Sequence, residues 1–208
     1  MATQTMRITR KSKTLWLWWG LTGVLGFVGG MTIKTAIEII AGLGGWSAAL
    51  EAFPPIVFGA LLGAMLGSCT GLAQWLVLRR RLDRVGTWLP ATFGALVLFW
   101  TLHNSGLLPF WVSPWGLVVQ GFVHGAIVGA MLGVAQWLVL RSRVERAGRW
   151  MLISTVSWSV AGAIMHLLLD VLFASANVHG PFDILIASTL AALFSGLGLQ
   201  RLLETDAA

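Results

Sequence analysis

The sequence predicts an all-α bundle of about six membrane-spanning helices, and three observations predict it. Of 208 residues, 57% are hydrophobic and only 11% are charged, against about 25% charged in a soluble domain. So few charges cannot cover a water-facing surface. The mean hydropathy is +0.81, and apolar stretches of bilayer length, about twenty residues, recur along the chain. The third observation is a duplication. Gln74 to Trp88 reads QWLVLRRRLDRVGTW and Gln136 to Trp150 reads QWLVLRSRVERAGRW, aligned without a gap at an offset of 62 residues. Each copy follows glycine at every fourth position: Gly59, Gly63, Gly67 and Gly71, then Gly121, Gly125, Gly129 and Gly133.

The elements follow in order. Residues 1–14 form a basic tail with Arg7, Arg10, Lys11 and Lys13. The apolar run behind it, Leu15 to Ile33, is too long for a signal core and lacks an A-x-A cleavage site. It is read as a retained first span with room to continue as helix to Ala41. The second span, Ile56 to Leu78, and the fourth, Trp115 to Leu140, carry the glycine ladders. The third, Trp88 to Leu102, is the shortest and either continues past His103 or tilts against a broken outer loop, and the fifth runs from Trp150 to Phe173. The sixth, Asp183 to Leu199, starts after Pro181, where a carboxylate favours a helix N-terminus. Residues 15–200 thus make one transmembrane domain and 201–208 a short tail.

Arginine sets the orientation. Arg79, Arg80, Arg81 and Arg84 follow span two, Arg141, Arg143, Arg146 and Arg149 follow span four, and Arg201 follows span six. With six spans these turns and both termini share one side, which the positive-inside rule makes cytoplasmic. The clusters also suit anionic lipid headgroups. No basic stripe of useful length is left for nucleic acid. Trp16, Trp18, Trp19, Trp75, Trp88, Trp137 and Trp150 fall at the expected inner ends, and Trp46, Trp111 and Trp115 at the outer ones. An indole, with an apolar body and one N–H, settles at headgroup depth.

Span six ends in Gln200-Arg201 behind Ser188, Ala192 and Gly196, like a degenerate third copy. The chain then reads as three tandem hairpins, about 15–81, 88–143 and 150–201. Parallel repeats of this kind imply pseudo-rotation about the membrane normal.

The glycine ladders read first as helix-packing grooves, because small residues let backbones approach in lipid. Gln74, Gln136 and Gln200 lie near the inner ends of their spans, where an amide must find partners. They either tie helices together or ring a central path. Differences between the copies are more telling. His124 replaces Leu62, His166 replaces Asn104 and Asp170 replaces Leu108. His166 and Asp170 share a helix face, and Gln120 stands one turn before His124. Intramembrane ionisable groups are often functional. Three readings apply: a structural His–Asp pair, a polar vestibule for a solute, or axial ligation of haem or chlorophyll. No cofactor is required by the residues, and no metal-ligand cluster is present. His103 and His179 fall in outer loops, where solvent is expected to reach them. Lys34 and Glu38 suit an interfacial ion pair. Cys69, the single cysteine, reads as a small buried residue. Walker, dinucleotide, HExxH and GxSxG motifs are absent, so an enzyme is not expected.

The block G-x3-G-x2-QWLVLR, its Arg-rich turn and the following Trp resemble repeats of uncharacterised multi-pass bacterial membrane proteins, photosynthetic lineages included. The resemblance covers roughly Gly59 to Trp158 and concerns hairpin organisation. It implies a bacterial inner membrane and brings no catalytic or binding residue with it. The expected function is non-catalytic: a packing or assembly subunit of a larger membrane complex or homo-oligomer. The alternatives are a small-solute permease or channel and a haem- or chlorophyll-binding subunit. They differ in whether the polar positions surround an axial path.

Overall fold

A computed structural model of the protein describes residues 14–108, 116–173 and 181–206. Among these, seven helices and no strand occur: α1 (Leu15–Leu43), α2 (Ser47–Glu51), α3 (Pro55–Leu78), α4 (Trp88–Asn104), α5 (Leu117–Leu140), α6 (Arg149–Phe173) and α7 (Pro181–Asp206). Five segments are long and apolar enough to cross a membrane: Leu15–Leu43, Pro55–Leu78, Leu117–Leu140, Arg149–Leu168 and Ile184–Thr205. The protein is a helical membrane bundle. Its outward faces carry exposed Leu, Ile, Val and Phe, with Leu25 60% and Leu152 68% accessible. Such helices, apolar all round, need an apolar solvent.

Local chemistry sets the helix ends. Proline occupies the first positions of α3, where its missing N–H is not needed and its fixed φ suits a helix start. α1 stops at Gly44, and Gly45 follows at φ 75, a left-handed backbone that glycine adopts without strain. α1 has 29 residues, or about 43 Å of helix, so it outruns a hydrocarbon core of about 30 Å. The short α2 beyond it has no counterpart in the sequence reading. α4, with 17 residues, is about 25 Å long and reaches two residues past its expected end. Lys34 and Glu38 pair at 2.6 Å in the C-terminal third of α1, with side chains 25% and 50% exposed. Glu38→Gln is expected to change detergent-unfolding stability by less than about 0.5 kcal/mol, as for other exposed i,i+4 pairs.

The helices close a ring in which α1, α3, α4, α5, α6 and α7 each pack on the next and α7 returns to α1. Glycine sets the closest approaches. A methyl group at Gly63 would lie 2.5 Å from the Leu96 carbonyl oxygen and 2.7 Å from Val97 Cα. At Gly129 it would lie 2.7 Å from the Ser154 carbonyl oxygen and 2.8 Å from Thr155 Cα. At Gly23 of α1 it would lie 2.5 Å from the Ser188 carbonyl oxygen of α7. The grooves are therefore filled by helices of the same chain. Register is kept between the two ladders. Gly59, Gly63, Gly67 and Gly71 meet Trp100, Val97, Phe93 and Leu89, and Gly121, Gly125, Gly129 and Gly133 meet the residues 62 positions on, Gly162, Ser159, Thr155 and Met151.

The bundle axis is packed in two layers. At the Arg-bearing end Trp19, Leu78, Trp88, Leu140, Trp150 and Leu199 form one buried cluster. Beyond it Phe27, Leu62, Leu66, Leu96, Phe99 and Leu132 form the next.

Candidate functional site

Three tryptophans meet at the centre. Trp19, Trp88 and Trp150 have ring centroids 5.8, 5.9 and 6.1 Å apart and are 0%, 0% and 1% exposed. These edge and tilted arrangements are favourable for aromatic rings. The expectation of an interfacial belt is corrected for these three. Each stands in the first turns of its helix, on the face turned to the axis, where an indole N–H needs an acceptor.

The glutamines supply those acceptors. Trp88 Nε1 donates to Gln74 Oε1 at 3.0 Å, and Trp150 Nε1 donates to Gln136 Oε1 at 3.0 Å. Gln136 Nε2 donates to Gln74 Oε1 at 3.1 Å and to Thr92 Oγ1 at 3.0 Å. Trp19 Nε1 donates to Ser195 Oγ at 3.2 Å. Four helices are thus joined through one buried polar network, the arrangement that a low dielectric rewards when every member is bonded. The sequence carries a signal for it: in both copies the Gln–Trp spacing is fourteen residues, and each pair is hydrogen-bonded.

Gln200 does not join them, and its place beside Gln74 and Gln136 is corrected. Its Nε2 donates to Glu204 Oε1 at 3.1 Å in an exposed bond. Gln74 and Gln136 stand three residues after Gly71 and Gly133, whereas Gln200 stands four after Gly196. One extra residue turns the side chain by about 100°. Leu199, fully buried, takes the inward place.

A second cluster lies nearer the end away from the arginine turns. The His124 ring is 5.0 Å from Phe99 and 5.0 Å from His103, and His103 is 5.3 Å from Trp100. His166 reaches Gly121, one turn before His124, so closely that a methyl group there would meet its ring. His103 is half-buried on the last turn of α4, which corrects its expected place in an outer loop and bears out the longer reading of span three: helix continues to Asn104 and sets His103 one turn past Phe99, on the same face. Gln120 is half-buried in the first turn of α5 and makes no hydrogen bond among the described side chains. The side chain of Asp170 and all of Trp111, Trp115 and His179 lie outside the described residues, as does the side chain of Asp183. Among the described residues no group of three or more His, Cys, Asp or Glu is placed to hold a metal ion.

Two further features face outward. A lateral cleft of about 540 Å³ opens between the C-terminal half of α1, α3 and the end of α4, lined by Lys34, Ile37, Phe58, Leu61, Met65 and Asn104. At the opposite end Arg79 lies over Trp75 and Arg141 over Trp137, with guanidinium carbons 4.7 and 5.7 Å from the ring centroids. Cys69 is half-buried on α3 beside Gly29 of α1. No protein-family model matches the chain, and neither does any curated protein or solved structure.

Proposed function

We propose that the chain is a non-catalytic integral membrane protein that acts as an assembly element, a stiff bundle that seats a helix of another subunit or of a second copy. One observation carries this reading: the axis is filled by the tryptophan triad and the apolar layer beyond it, while the lateral cleft stays open. A permease would have to part both layers to pass a solute. A haem or chlorophyll on His124 would have to displace Phe99 and His103 from its ring. The glycine grooves do not serve partners on this reading, since they are occupied within the chain.

α4 counts as a sixth span on this reading, its 17 residues sheltered along α3. The common register of the two ladders supports duplication of a unit consisting of a ladder helix and the Trp-led helix it holds. That unit is α3 with α4 and α5 with α6, and α7 with α1 around the ring, offset by one helix from the blocks 15–81, 88–143 and 150–201. Both termini then lie with the arginine turns on the cytoplasmic side of a bacterial inner membrane.

The test is a photo-crosslinking residue at Ile37 or Phe58, activated in native membranes, followed by mass analysis of the protein in mild detergent. An adduct with a membrane polypeptide, matched by a mass above the monomer, is expected. A monomer that forms no adduct from either position overturns the reading.

A further inference from the structure

The Arg-bearing end holds chemistry that assembly through the cleft does not use. α3 and α5 both end in QWLVL with an arginine as the next residue, and in both the arginine folds back over the tryptophan one turn earlier. The arginines are exposed and the tryptophans half-buried. A guanidinium held over an indole by its cationic carbon spends no N–H on the ring acceptor, and its planar fork matches two oxygens of a phosphate. Neither Arg79 nor Arg141 forms an ion pair among the described residues. The surrounding field favours an anion, because the two turns hold eight arginines against Asp83 and Glu145. The turns are also joined: Arg143 Nη2 donates to the Arg84 carbonyl oxygen at 3.4 Å, and Arg84 is held at φ 56, a backbone region that non-glycine residues seldom occupy.

We propose that Arg79 on Trp75 and Arg141 on Trp137 are two equivalent seats for the phosphate of an anionic phospholipid. The lipid, and not a soluble anion, is the occupant because each seat stands at the head of an exposed apolar strip. Leu72 and Leu76 precede Arg79 on its face, 45% and 37% exposed, and Val134 and Leu138 precede Arg141, 46% and 49% exposed. The spacing of seven and three residues keeps each strip in line with its arginine. Acyl chains lie along the strip while the headgroup meets the fork at the depth where indoles settle.

Native mass spectrometry of the full chain, titrated with phosphatidylglycerol in a phosphatidylcholine background, reads the bound lipids. R79Q/R141Q is expected to weaken anionic-lipid retention about fivefold per seat. R80Q/R146Q removes the same charge, one exposed arginine from each of the same two turns, and is expected to change it by less than about twofold. Equal losses in the two double variants mean a diffuse cationic surface and overturn the proposal. R79K/R141K keeps the charge without the planar fork and is expected to fall between wild type and R79Q/R141Q. Retention equal to wild type in the lysine pair overturns it, and this comparison decides the matter if the glutamine pair does not fold. Displacement of the lipid by millimolar inorganic phosphate would reveal a soluble-anion site and overturn it too.

Discussion

Gly125→Ala is expected to destabilise the bundle by about 3 kcal/mol, the upper end of the range for overpacking. The added methyl group would run into the Trp158 carbonyl oxygen and lie 2.9 Å from Ser159 Cα. Both obstacles are backbone, so no side chain can swing aside, and α5 and α6 must part along their length. Parting them also loosens Trp150 and its bond to Gln136. Gly63→Ala, at the matching place between α3 and α4, is expected to behave alike, since Leu96 and Val97 backbone atoms stand there. Gly94→Ala is the control. Nothing lies within 4 Å of a methyl group at that position, and alanine is the better helix former by up to about 1 kcal/mol. Unfolding by titrated SDS in mixed micelles measures all three. Equal midpoints for Gly125→Ala and Gly94→Ala would show that close backbone approach does not hold the ring.

The second large effect is expected at Gln136. Gln136→Leu removes three hydrogen bonds at once and leaves the Trp150 indole N–H, Gln74 and Thr92 each short of a partner. Interhelical hydrogen bonds in membranes are worth roughly 0.6 to 2 kcal/mol each, so a loss of about 2 to 3 kcal/mol is expected. Gln200→Leu is the contrast, because its only described bond is an exposed one to Glu204, and a change below about 0.5 kcal/mol is expected. Reading both in the same SDS titration separates a shared network from a ring of three like amides. If Gln200→Leu is as damaging as Gln136→Leu, the inward placement of Leu199 is wrong.

How much was legible depended on the range of the physics involved. Helix ends written by local chemistry were plain in the chain: α3 and α5 end at Leu78 and Leu140, as expected from the arginines that follow. The glycine ladders announced close packing, but not whose backbone would fill them, because groove shape does not name a partner. Trp19, Trp88 and Trp150 misled for a different reason. An indole at a span end suits either a headgroup belt or a buried acceptor, and only the position of Gln74, Gln136 and Ser195 decides. The constant Gln–Trp spacing held that information. Gln200 failed by a single residue, since helical phase is unforgiving and a likeness of motif does not guarantee a likeness of face. His103 was placed in an outer loop although span three had room to continue past it, and Phe99 and Trp100 give its ring an apolar berth.

The ring has an order in time as well as in space. Its closing seam joins α1 to α7 through Gly20, Gly23 and Gly196, so the seam cannot form until the ribosome has made α3, α4, α5 and α6. Until then α1 is held from one side only, by Thr70 and Leu66 of α3 at Gly26 and Gly30, and Trp19 waits for the hydroxyl of Ser195. The nascent protein is thus an open crescent with a small-residue groove and an unsatisfied indole on the same helix. Whatever attends it during insertion, lipid or chaperone, has α1 as the surface to guard.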